Sequence, residues 1–323
     1  MPSSAATSPD LAVMPQSPSP VALSRQARRL SLAPAPWLHE EVARRLADKL
    51  APIRLSPRRW VDWSAHLGAG RALVDQAYPQ AQRWVVEPHS SFTQVTAAAE
   101  PATPLGRVGA WVARWAGRQP ESAPVWVPGQ ADAWRPPWGA EGVDLLWANM
   151  SLHTSADLPG LMAQWHRCLA VDGFLMASGL GPDTARELRS LYAELGWGLP
   201  TVQFVDMHDL GDELVRAGFA DPVMDMERLT LTWATPEALV AELRTWGGNV
   251  AHGRFEGCRT PRWRERLHEA LRQRLTGPDG RLRLTVELVY AHAVKPVPRA
   301  ALAPETRVSL DDMRQMVRRS GKS

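Results

Sequence analysis

Short apolar runs alternate with helical patterns along the middle of this 323-residue chain. The run VDLLWANM, which begins at Val143, is apolar at almost every position. It is followed by the amphipathic stretch DLPGLMAQWHRCLA, whose start is marked by Asp157 before Pro159, and then by the apolar run GFLMASG. A strand that is apolar on both faces is typical of a parallel sheet covered by helices. The alternation therefore predicts an open, doubly wound α/β sheet.

The ends of the predicted strands locate the candidate site. In a doubly wound sheet, ligands bind at the carboxyl ends of the central strands, where the strand order reverses. We expect parallel strands and, near the end of the chain, an antiparallel pair. The parallel strands are expected at about 59–63, 83–87, 143–149 and 173–179, and the pair at about 221–233 and 284–293.

Composition divides the chain into three segments. Residues 1–23 are rich in Pro and Ser and are expected to form a disordered leader. Residues 24–296 are expected to form the folded domain, and residues 297–323 a basic tail. The net charge of +3 is too small to indicate nucleic-acid binding. It is unevenly distributed, because both ends are basic while the body is acidic.

Cysteine usage and hydropathy exclude several classes of protein. The chain has 2 Cys, Cys168 and Cys258, and no CxxC, which excludes a disulfide framework and a structural cysteine-based metal site. No apolar run reaches the roughly 18 residues that a membrane-spanning helix needs. The N-terminus lacks the basic and continuously apolar regions of a signal peptide. We therefore expect a cytoplasmic protein with no membrane or nucleic-acid partner, and its oligomeric state stays open.

The segment VDWSAHLGAG follows the first predicted strand. An acid that closes a strand, followed by Gly at fixed offsets and then a helix, brings the backbone close to a nucleotide-like ligand. The segment resembles motif I of class I methyltransferases that use S-adenosylmethionine, a pattern of roughly D-x-G-x-G-x-G. The alignment places Asp62 at the acid and Ser64, His66 and Gly68 at the three Gly positions. An ordinary strand-to-helix turn is the alternative interpretation.

Three more loops fit the same cofactor, S-adenosyl-L-methionine. Glu87 ends the second strand, where an acid accepts hydrogen bonds from both ribose hydroxyls. A solvated acid at a strand end is the alternative for Glu87. Asp132 and Ala133 precede the central strand, as expected for a segment that contacts adenine. Asn149 ends that strand and is expected to face the methionine end of the cofactor.

From residue 143 onward the chain resembles a more specific family, which makes malonyl-acyl-carrier-protein methyl ester in biotin synthesis. The family phrase S-N-L-x-L-H/Q-W appears as ANMSLHT, and F-G-P-x-T-L-x-E-L-R appears as LGPDTARELR. The resemblance covers about residues 24–296. It implies a seven-stranded Rossmann-like sheet with an antiparallel edge strand and a helical lid. It also implies methylation of the free carboxylate of malonyl-acyl-carrier protein, with that carrier as partner.

The chain departs from the family in motif I and over residues 88–131. Replacing a glycine by a residue with a Cβ disturbs the loop most where the backbone needs a positive φ or touches the ligand. A second hypothesis is therefore a catalytically impaired protein of the methyltransferase fold that binds or regulates. Cofactor binding by the purified protein distinguishes the two.

The reaction itself requires few chemical groups. The carboxylate nucleophile is already ionised at neutral pH, so alignment and exclusion of water provide most of the acceleration. No catalytic residue is assigned for this reason. His153 follows the strand that bears Asn149 and either orients the malonyl carboxylate or is a structural histidine. His208 and Asp209 resemble a dyad, but Asp209 is better explained as a helix N-cap.

The segment GPDTARELR supplies the remaining candidates for substrate binding. Gly181 and Thr184 lie in its loop. Arg186 and Arg189 follow the loop and either meet the phosphopantetheine phosphate and an acidic carrier helix or form a solvated helix face. Because the body of the protein is acidic, a local basic patch is predicted to dock the carrier. Three arginines near the N-terminus are expected to join it: Arg25, Arg28 and Arg29.

Overall fold

The computed structural model describes residues 18–99, 125–128 and 136–298, and seven strands in these ranges form one sheet. The predicted α/β fold is thereby confirmed. The strands are β1 (Arg59–Trp63), β2 (Gln82–Val86), β3 (Val125–Trp126), β4 (Val143–Ala148), β5 (Leu169–Leu180), β6 (Ala220–Trp233) and β7 (Leu282–Val294).

Helices connect most of the strands. In addition to the α-helices there is a short 3₁₀ helix at Ser90–Phe92. In the described ranges the α-helices are α1 (Pro20–Leu30), α2 (Trp37–Asp48), α3 (Ala65–Gly68), α4 (Arg71–Ala77), α5 (Thr93–Ala99), α6 (Leu158–Cys168), α7 (Arg186–Glu194), α8 (Met207–Arg216), α9 (Pro236–Thr245) and α10 (Pro261–Leu275).

The strand order is β3-β2-β1-β4-β5-β7-β6. Strands β1 to β5 pair in parallel, whereas β7 runs antiparallel to both β5 and β6. The antiparallel strand is therefore not at the edge, as the resemblance implied, since β6 lies outside it. The order reverses between β1 and β4, and this switch point is where ligands bind in open α/β sheets.

Alternating residues of the central strands build a separate core on each face of the sheet. On one face, Val61 and Trp63 pack with Met162 and Trp165 of α6. On the other, Trp60, Leu145 and Trp147 belong to a cluster that includes the apolar residues of α2. Successive strand residues point to opposite faces, so a run buried at every position requires helices on both sides. This explains why VDLLWA forms a central strand.

The first helix begins earlier than the expected start of the folded domain. Pro20 is the first residue of α1, and the Ser19 side chain caps the helix by accepting from the Ala22 N–H. The Ser19 N–H donates to the Val250 carbonyl at 2.8 Å. This bond to a residue distant in sequence stabilises the start of α1, which the local composition does not indicate. Most of the predicted leader and of the tail, 1–17 and 299–323, lies outside the described residues.

A helical lid covers one end of the sheet. Helices α7, α9 and α10 share a third apolar cluster with the start of β7. Helix α1 is joined to the chain after α9, because Gln26 donates to the Trp246 carbonyl and Arg29 to the Gly247 carbonyl. No helix in the described part of the chain is long and apolar enough to cross a membrane. The lid and α1 thus enclose the carboxyl ends of β1 and β4.

Candidate cofactor and substrate site

The loop after β1 keeps a tight turn although it lacks the first glycine of the motif. Ser64 occupies this position with φ +63°, in the left-handed region that glycine ordinarily fills. Its N–H donates to the Val86 carbonyl at 2.8 Å, and its own carbonyl accepts from the Gly68 N–H at 2.7 Å. These bonds hold a conformation that costs roughly 1–2 kcal/mol for a residue with a Cβ. The turn survives the substitution.

The glycine that this loop requires is Gly70, which the motif alignment did not assign. A Cβ on Gly68 would meet only ordinary contacts, the nearest at 3.6 Å. A Cβ on Gly70 would lie 2.1 Å from Nε1 of Trp147, inside the core. The loop therefore touches the neighbouring strand at Gly70. The segment LGAG contains both glycines, but only the packing distinguishes them.

The large side chain of His66 is accommodated away from the loop backbone. Its ring nitrogen Nε2 lies 3.1 Å from the Ala33 carbonyl, and its ring stacks on Phe92 with centroids 5.3 Å apart. The backbone N–H of His66 donates to Oε1 of Glu87 at 2.7 Å. His66, at the second altered motif position, is thus compatible with the turn. Its N–H also holds Glu87 in the loop after β2.

Glu87 is fully buried at the carboxyl end of β2. Its Oε1 accepts from the His66 N–H and from the Thr96 hydroxyl, both at 2.7 Å. Its Oε2 is buried and has no hydrogen-bond partner among the described residues. Burial raises the pKa of Glu87 to about 7, against the opposing effect of its two hydrogen bonds. A buried acceptor that lacks a donor fits the predicted ribose contact, because such a group is costly unless a partner is supplied.

Asp62 forms an ion pair with a residue that the sequence analysis did not identify. Nη2 of Arg83 lies 2.6 Å from Oδ2 of Asp62, and both groups are buried or nearly so. The charge of Asp62 also contributes to the raised pKa of Glu87, so the two acids lie close together. Asp62 and Glu87 therefore lie side by side at the carboxyl ends of the neighbouring strands β1 and β2.

Asn149 connects three elements through its side-chain amide. Nδ2 donates to the His39 carbonyl at 2.8 Å and to the Gly68 carbonyl at 2.9 Å. Oδ1 accepts from the Ser178 hydroxyl at 2.7 Å. Both amide hydrogens are therefore used inside the protein. The geometry assigns Asn149 to holding the motif I loop, whereas a direct contact with the methionine end of the cofactor stays a prediction.

A cavity of about 410 Å³ lies between α1 and the carboxyl ends of β1 and β4. This first cavity is within the usual size range of small-molecule sites. Glu87 does not line it, although the two residues that follow Glu87 do. Asp132 and Ala133, the predicted adenine contacts, lie outside the described residues. The lining includes Leu30, His39, Trp63, Ser64, Leu67, Pro88, His89, Met150 and His153.

His153 is a predicted site residue that lines the first cavity. The Leu180 N–H donates to its Nδ1 at 3.3 Å, which requires the ring proton to be on Nε2. Burial, and to a smaller extent neighbouring His39, lowers the pKa of His153 to about 3. The imidazole is therefore neutral at physiological pH, with one N–H available to donate.

His39 faces the same cavity and was not identified from the sequence. Its Nδ1 lies 2.9 Å from the Leu67 carbonyl, so Nδ1 must carry the proton and Nε2 the lone pair. Burial lowers the pKa of His39 to about 4, although the bond to Leu67 opposes this. His39 and His153, two of the three histidines that line the first cavity, are thus neutral and in opposite tautomers. A histidine within the helical pattern WLHEE gives no local signal of such a role.

A second cavity, of about 460 Å³, lies beneath the lid. His153, Thr154, Gln26 and Trp246 line both cavities, so the two adjoin at His153. The second cavity is mainly apolar and thus suits an extended, mostly uncharged chain. Its apolar lining includes Leu188, Tyr192, Val202, Phe204, Leu239, Val240, Leu243, Trp263, Leu267 and Leu271.

The GPDT loop is held tightly by buried Glu287. Oε2 of Glu287 accepts from the Asp183 N–H at 2.6 Å, and a Cβ on Gly181 would lie 2.8 Å from the Glu287 side chain. The Thr184 hydroxyl donates to the Glu287 carbonyl at 3.1 Å. Thr184 lines the second cavity, whereas Gly181 lies behind it and shapes the loop.

The two arginines after this loop are engaged in local bonds. Arg189 donates to the carbonyls of Pro182 and Thr184. Arg186 pairs with Asp183 at 3.2 Å on the exposed side of α7. Neither lines either cavity. Their contact with a carrier phosphate stays a prediction, and the geometry assigns both to the loop.

One predicted cap is wrong by three residues. Asp206, and not Asp209, caps α8, because its side chain accepts from the His208 N–H at 2.8 Å. Asp209 lies in the first turn of the helix, and both His208 and Asp209 are exposed. The helix therefore begins at Met207, three residues earlier than a cap at Asp209 would give, and Met207 packs against the core.

Comparison with known proteins identifies the family. The chain is 37% identical to the malonyl-[acyl-carrier protein] O-methyltransferase of Laribacter hongkongensis over 284 residues, which are 87% of this chain and 88% of that protein. It is 36% identical to the protein of the same name from Gallionella capsiferriformans over 267 residues, 81% of this chain and 85% of that protein. The YcgJ protein of Bacillus subtilis, a solved structure, matches with a TM-score of 0.49 and 12% identity, covering 78% of this chain and 98% of that one.

No family model matches the chain. The curated relatives nevertheless exceed 30% identity over most of both chains. The resemblance first indicated by ANMSLHT and LGPDTARELR thus extends over most of the chain. The chain belongs to the malonyl-[acyl-carrier protein] O-methyltransferase family.

Proposed function

We propose that this protein transfers a methyl group from S-adenosylmethionine to the free carboxylate of malonyl-acyl-carrier protein, in the cytoplasm, as an early step of biotin synthesis. The observation that carries the proposal is the junction of the two cavities at His153. The first cavity lies at the switch point of the sheet, where a nucleotide-like cofactor binds. The second cavity is mainly apolar, lies beneath the lid and meets the first cavity at His153.

The residues fit the cofactor. Glu87 presents a buried acceptor oxygen without a donor among the described residues, and Ser64 keeps the turn that brings the loop backbone to the cavity. When bound, S-adenosylmethionine supplies a methyl group on a positively charged sulfur. The chain must then align the carboxylate with that methyl group and exclude water.

His153 is suited to align the substrate. Its neutral Nε2–H can donate one hydrogen bond to the malonyl carboxylate or to the thioester carbonyl. A cationic partner would hold the carboxylate more strongly and reduce its nucleophilicity, because the charge would be more stabilised before the reaction than during it. A neutral donor positions the carboxylate without that cost.

The alternative is a catalytically impaired protein that only binds or regulates. It was motivated by the altered motif I, where Ser64 and His66 stand for glycines. Ser64 retains the left-handed turn, and the His66 ring packs outside the loop against Phe92. Both substitutions are accommodated, which favours the active enzyme.

Incubation of the purified protein with malonyl-acyl-carrier protein and methyl-labelled S-adenosylmethionine tests the proposal. We expect label on the carrier as a methyl ester, detected by mass spectrometry and removed by an esterase. Acetyl-acyl-carrier protein, which has no free carboxylate, should accept none. Binding of S-adenosylhomocysteine without methylation of the malonyl carrier would support the impaired protein instead.

Replacing His153 by leucine should lower kcat/KM for the malonyl carrier roughly 10- to 100-fold, since a hydrogen bond to a charged group contributes about 1.5–3 kcal/mol. His153→Gln should retain more activity, because its amide N–H replaces the Nε2–H. Because the pKa of His153 is about 3, the wild-type rate should show no titration of this group between pH 6 and 8.

Affinity for S-adenosylhomocysteine, measured by calorimetry, should stay unchanged in His153→Leu. The exposed His208→Ala serves as the control for loss of a histidine. Equal activity of the Leu and Gln variants would show that the hydrogen bond has no role in alignment.

A further inference from the structure

Six arginines lie on or beside the N-terminal half of α10. In the described part of the chain none of them forms an ion pair, and only two acids, Glu256 and Glu265, lie between residues 244 and 266. Four are exposed, and the other two are half-buried. The six are Arg244, Arg254, Arg259, Arg262, Arg264 and Arg266.

The other end of the same helix is different. Arg272 lies 3.3 Å from Glu237, and Arg274 lies 2.8 Å from Glu194. Positive charge is therefore neutralised at the C-terminal end of α10 but not at its N-terminal end. Because the N-terminus of a helix already carries a partial positive charge, the unpaired arginines make this end strongly attractive to anions.

An open groove of about 490 Å³ runs along this basic surface. Phe255, which is 51% exposed, lies in the groove, and the Arg259 guanidinium is 3.7 Å from the centroid of its ring. The groove thus combines cationic groups with an exposed aromatic side chain, as protein-binding surfaces do. We call it the outer groove; it is lined by Phe255, Cys258, Arg259, Thr260, Arg262, Trp263 and Arg266.

The outer groove adjoins the second cavity. Three residues line both the outer groove and the second cavity: Arg259, Thr260 and Trp263. One side of each residue faces the surface, and the other side faces the space beneath the lid. Arg259 is fixed in this position because it donates to the Trp197 carbonyl at 3.1 Å and its guanidinium lies 4.4 Å from the Trp263 ring centroid. A chain entering at the outer groove would pass these residues and reach His153 through the second cavity.

We propose that the carrier protein docks on the outer groove and that its pantetheine arm enters the second cavity past Arg259. This inference rests on the proposed function. The arm is attached through an anionic phosphodiester, which an arginine at the entrance can bind, and the carrier helix is acidic. Beyond the phosphodiester the arm is uncharged, which suits the mainly apolar second cavity. Arg186 and Arg189 are less suited to this role, because their guanidinium groups already bind the GPDT loop.

Charge reversal at Arg262 and Arg266 tests the docking surface. Both side chains line the outer groove and neither lines the second cavity. Arg262→Glu with Arg266→Glu should raise KM for malonyl-acyl-carrier protein about 10-fold or more at low salt, with little change in kcat. Methylation of malonyl-pantetheine, which lacks the carrier, should be equal in variant and wild type.

Arg54→Glu with Arg58→Glu is the matched control. These exposed arginines precede the amino-terminal end of the interior strand β1 and line neither cavity nor the outer groove, and the exchange changes the net charge equally. The control should keep the wild-type KM. Added salt should raise KM in the wild type and the control more than in the groove variant, because screening weakens exposed charge pairs.

Binding of a fluorescently labelled holo-carrier, measured by anisotropy, separates this inference from the proposed function. Weaker binding by the groove variant than by the control supports docking even if no protein methylates the carrier, a result that would refute only the function. Equal binding and equal KM in the groove variant and the control would overturn the docking surface. The docking surface would also be overturned if the groove variant lost as much activity on malonyl-pantetheine as on malonyl-acyl-carrier protein.

Discussion

Replacing Asn149 by alanine should lower the free energy of unfolding by roughly 2–5 kcal/mol, since it removes the Asn149 donor from two buried carbonyls and also breaks a third buried bond, each bond contributing about 0.5–1.5 kcal/mol. Those carbonyls belong to His39 and Gly68, and the third bond comes from Ser178. Urea denaturation followed by circular dichroism measures the change. Gln273→Ala, which removes an exposed bond to Glu269, should cost much less.

Asn149→Asp is the sharper variant because it keeps the size of the side chain. It places an acceptor against the carbonyls of His39 and Gly68, so it should destabilise at least as strongly as alanine. Affinity for S-adenosylhomocysteine should fall in both variants, because the motif I loop loses the bond that holds Gly68. A variant that keeps full stability but loses cofactor affinity would mean that Asn149 contacts the cofactor directly, as the sequence analysis predicted.

The central sheet was predictable because its signal is local. The run beginning at Val143 is apolar at almost every position, which favours a strand covered on both faces, and it forms β4. Asp157 caps α6 as predicted, with its side chain accepting from the Gly160 N–H at 2.9 Å. Periodicity and capping depend on neighbours within a few residues, which a single sequence contains.

The start of α1 and the role of Gly70 were not predictable for the opposite reason. Helix α1 depends on contacts with Val250 and Gly247, more than 200 residues away. Gly70 is required by Trp147 on a neighbouring strand, and no local pattern reveals that contact. The motif alignment therefore identified Gly68, which tolerates a Cβ, and missed the glycine that does not.

The same limit applies to the polar residues of the site. The sequence analysis assigned Asn149, Arg186 and Arg189 to the site, but the ends of their side chains bind the protein itself. A polar residue at a strand end suits either a ligand or a nearby carbonyl, and composition does not distinguish them. Glu87 differs, because one of its oxygens is buried without a donor among the described residues.

Replacing Glu87 by alanine should weaken binding of S-adenosylhomocysteine roughly 100-fold, because two bonds from ribose hydroxyls to a charged acceptor contribute about 1.5 kcal/mol each. Isothermal titration calorimetry at pH 8 measures the loss. Glu87→Gln keeps the size of the side chain and an acceptor for the His66 N–H but has no charge. Its affinity should lie between those of the wild type and alanine.

The pH dependence of cofactor binding distinguishes the effect of the Glu87 charge from the effect of the size of its side chain. Burial raises the pKa of Glu87 to about 7, so the acceptor is protonated at pH 6 and ionised at pH 8. Wild-type affinity should therefore rise with pH through 7, whereas the affinity of Glu87→Gln should be flat.

The contribution of Glu87 to stability without cofactor should change in the opposite direction. Between its unfolded pKa of about 4.5 and its folded pKa of about 7, the Glu87 carboxyl group binds more protons in the folded state, so its contribution to the free energy of unfolding falls as pH rises. This contribution is measured as the difference between wild type and Glu87→Gln, because the lowered pKa values of buried His39 and His153 give a slope of the opposite sign in both proteins. A wild-type affinity that rises with pH, together with a wild-type stability that falls relative to that of Glu87→Gln, would assign the titration to this carboxyl group. A wild-type affinity independent of pH would exclude it as the ribose acceptor.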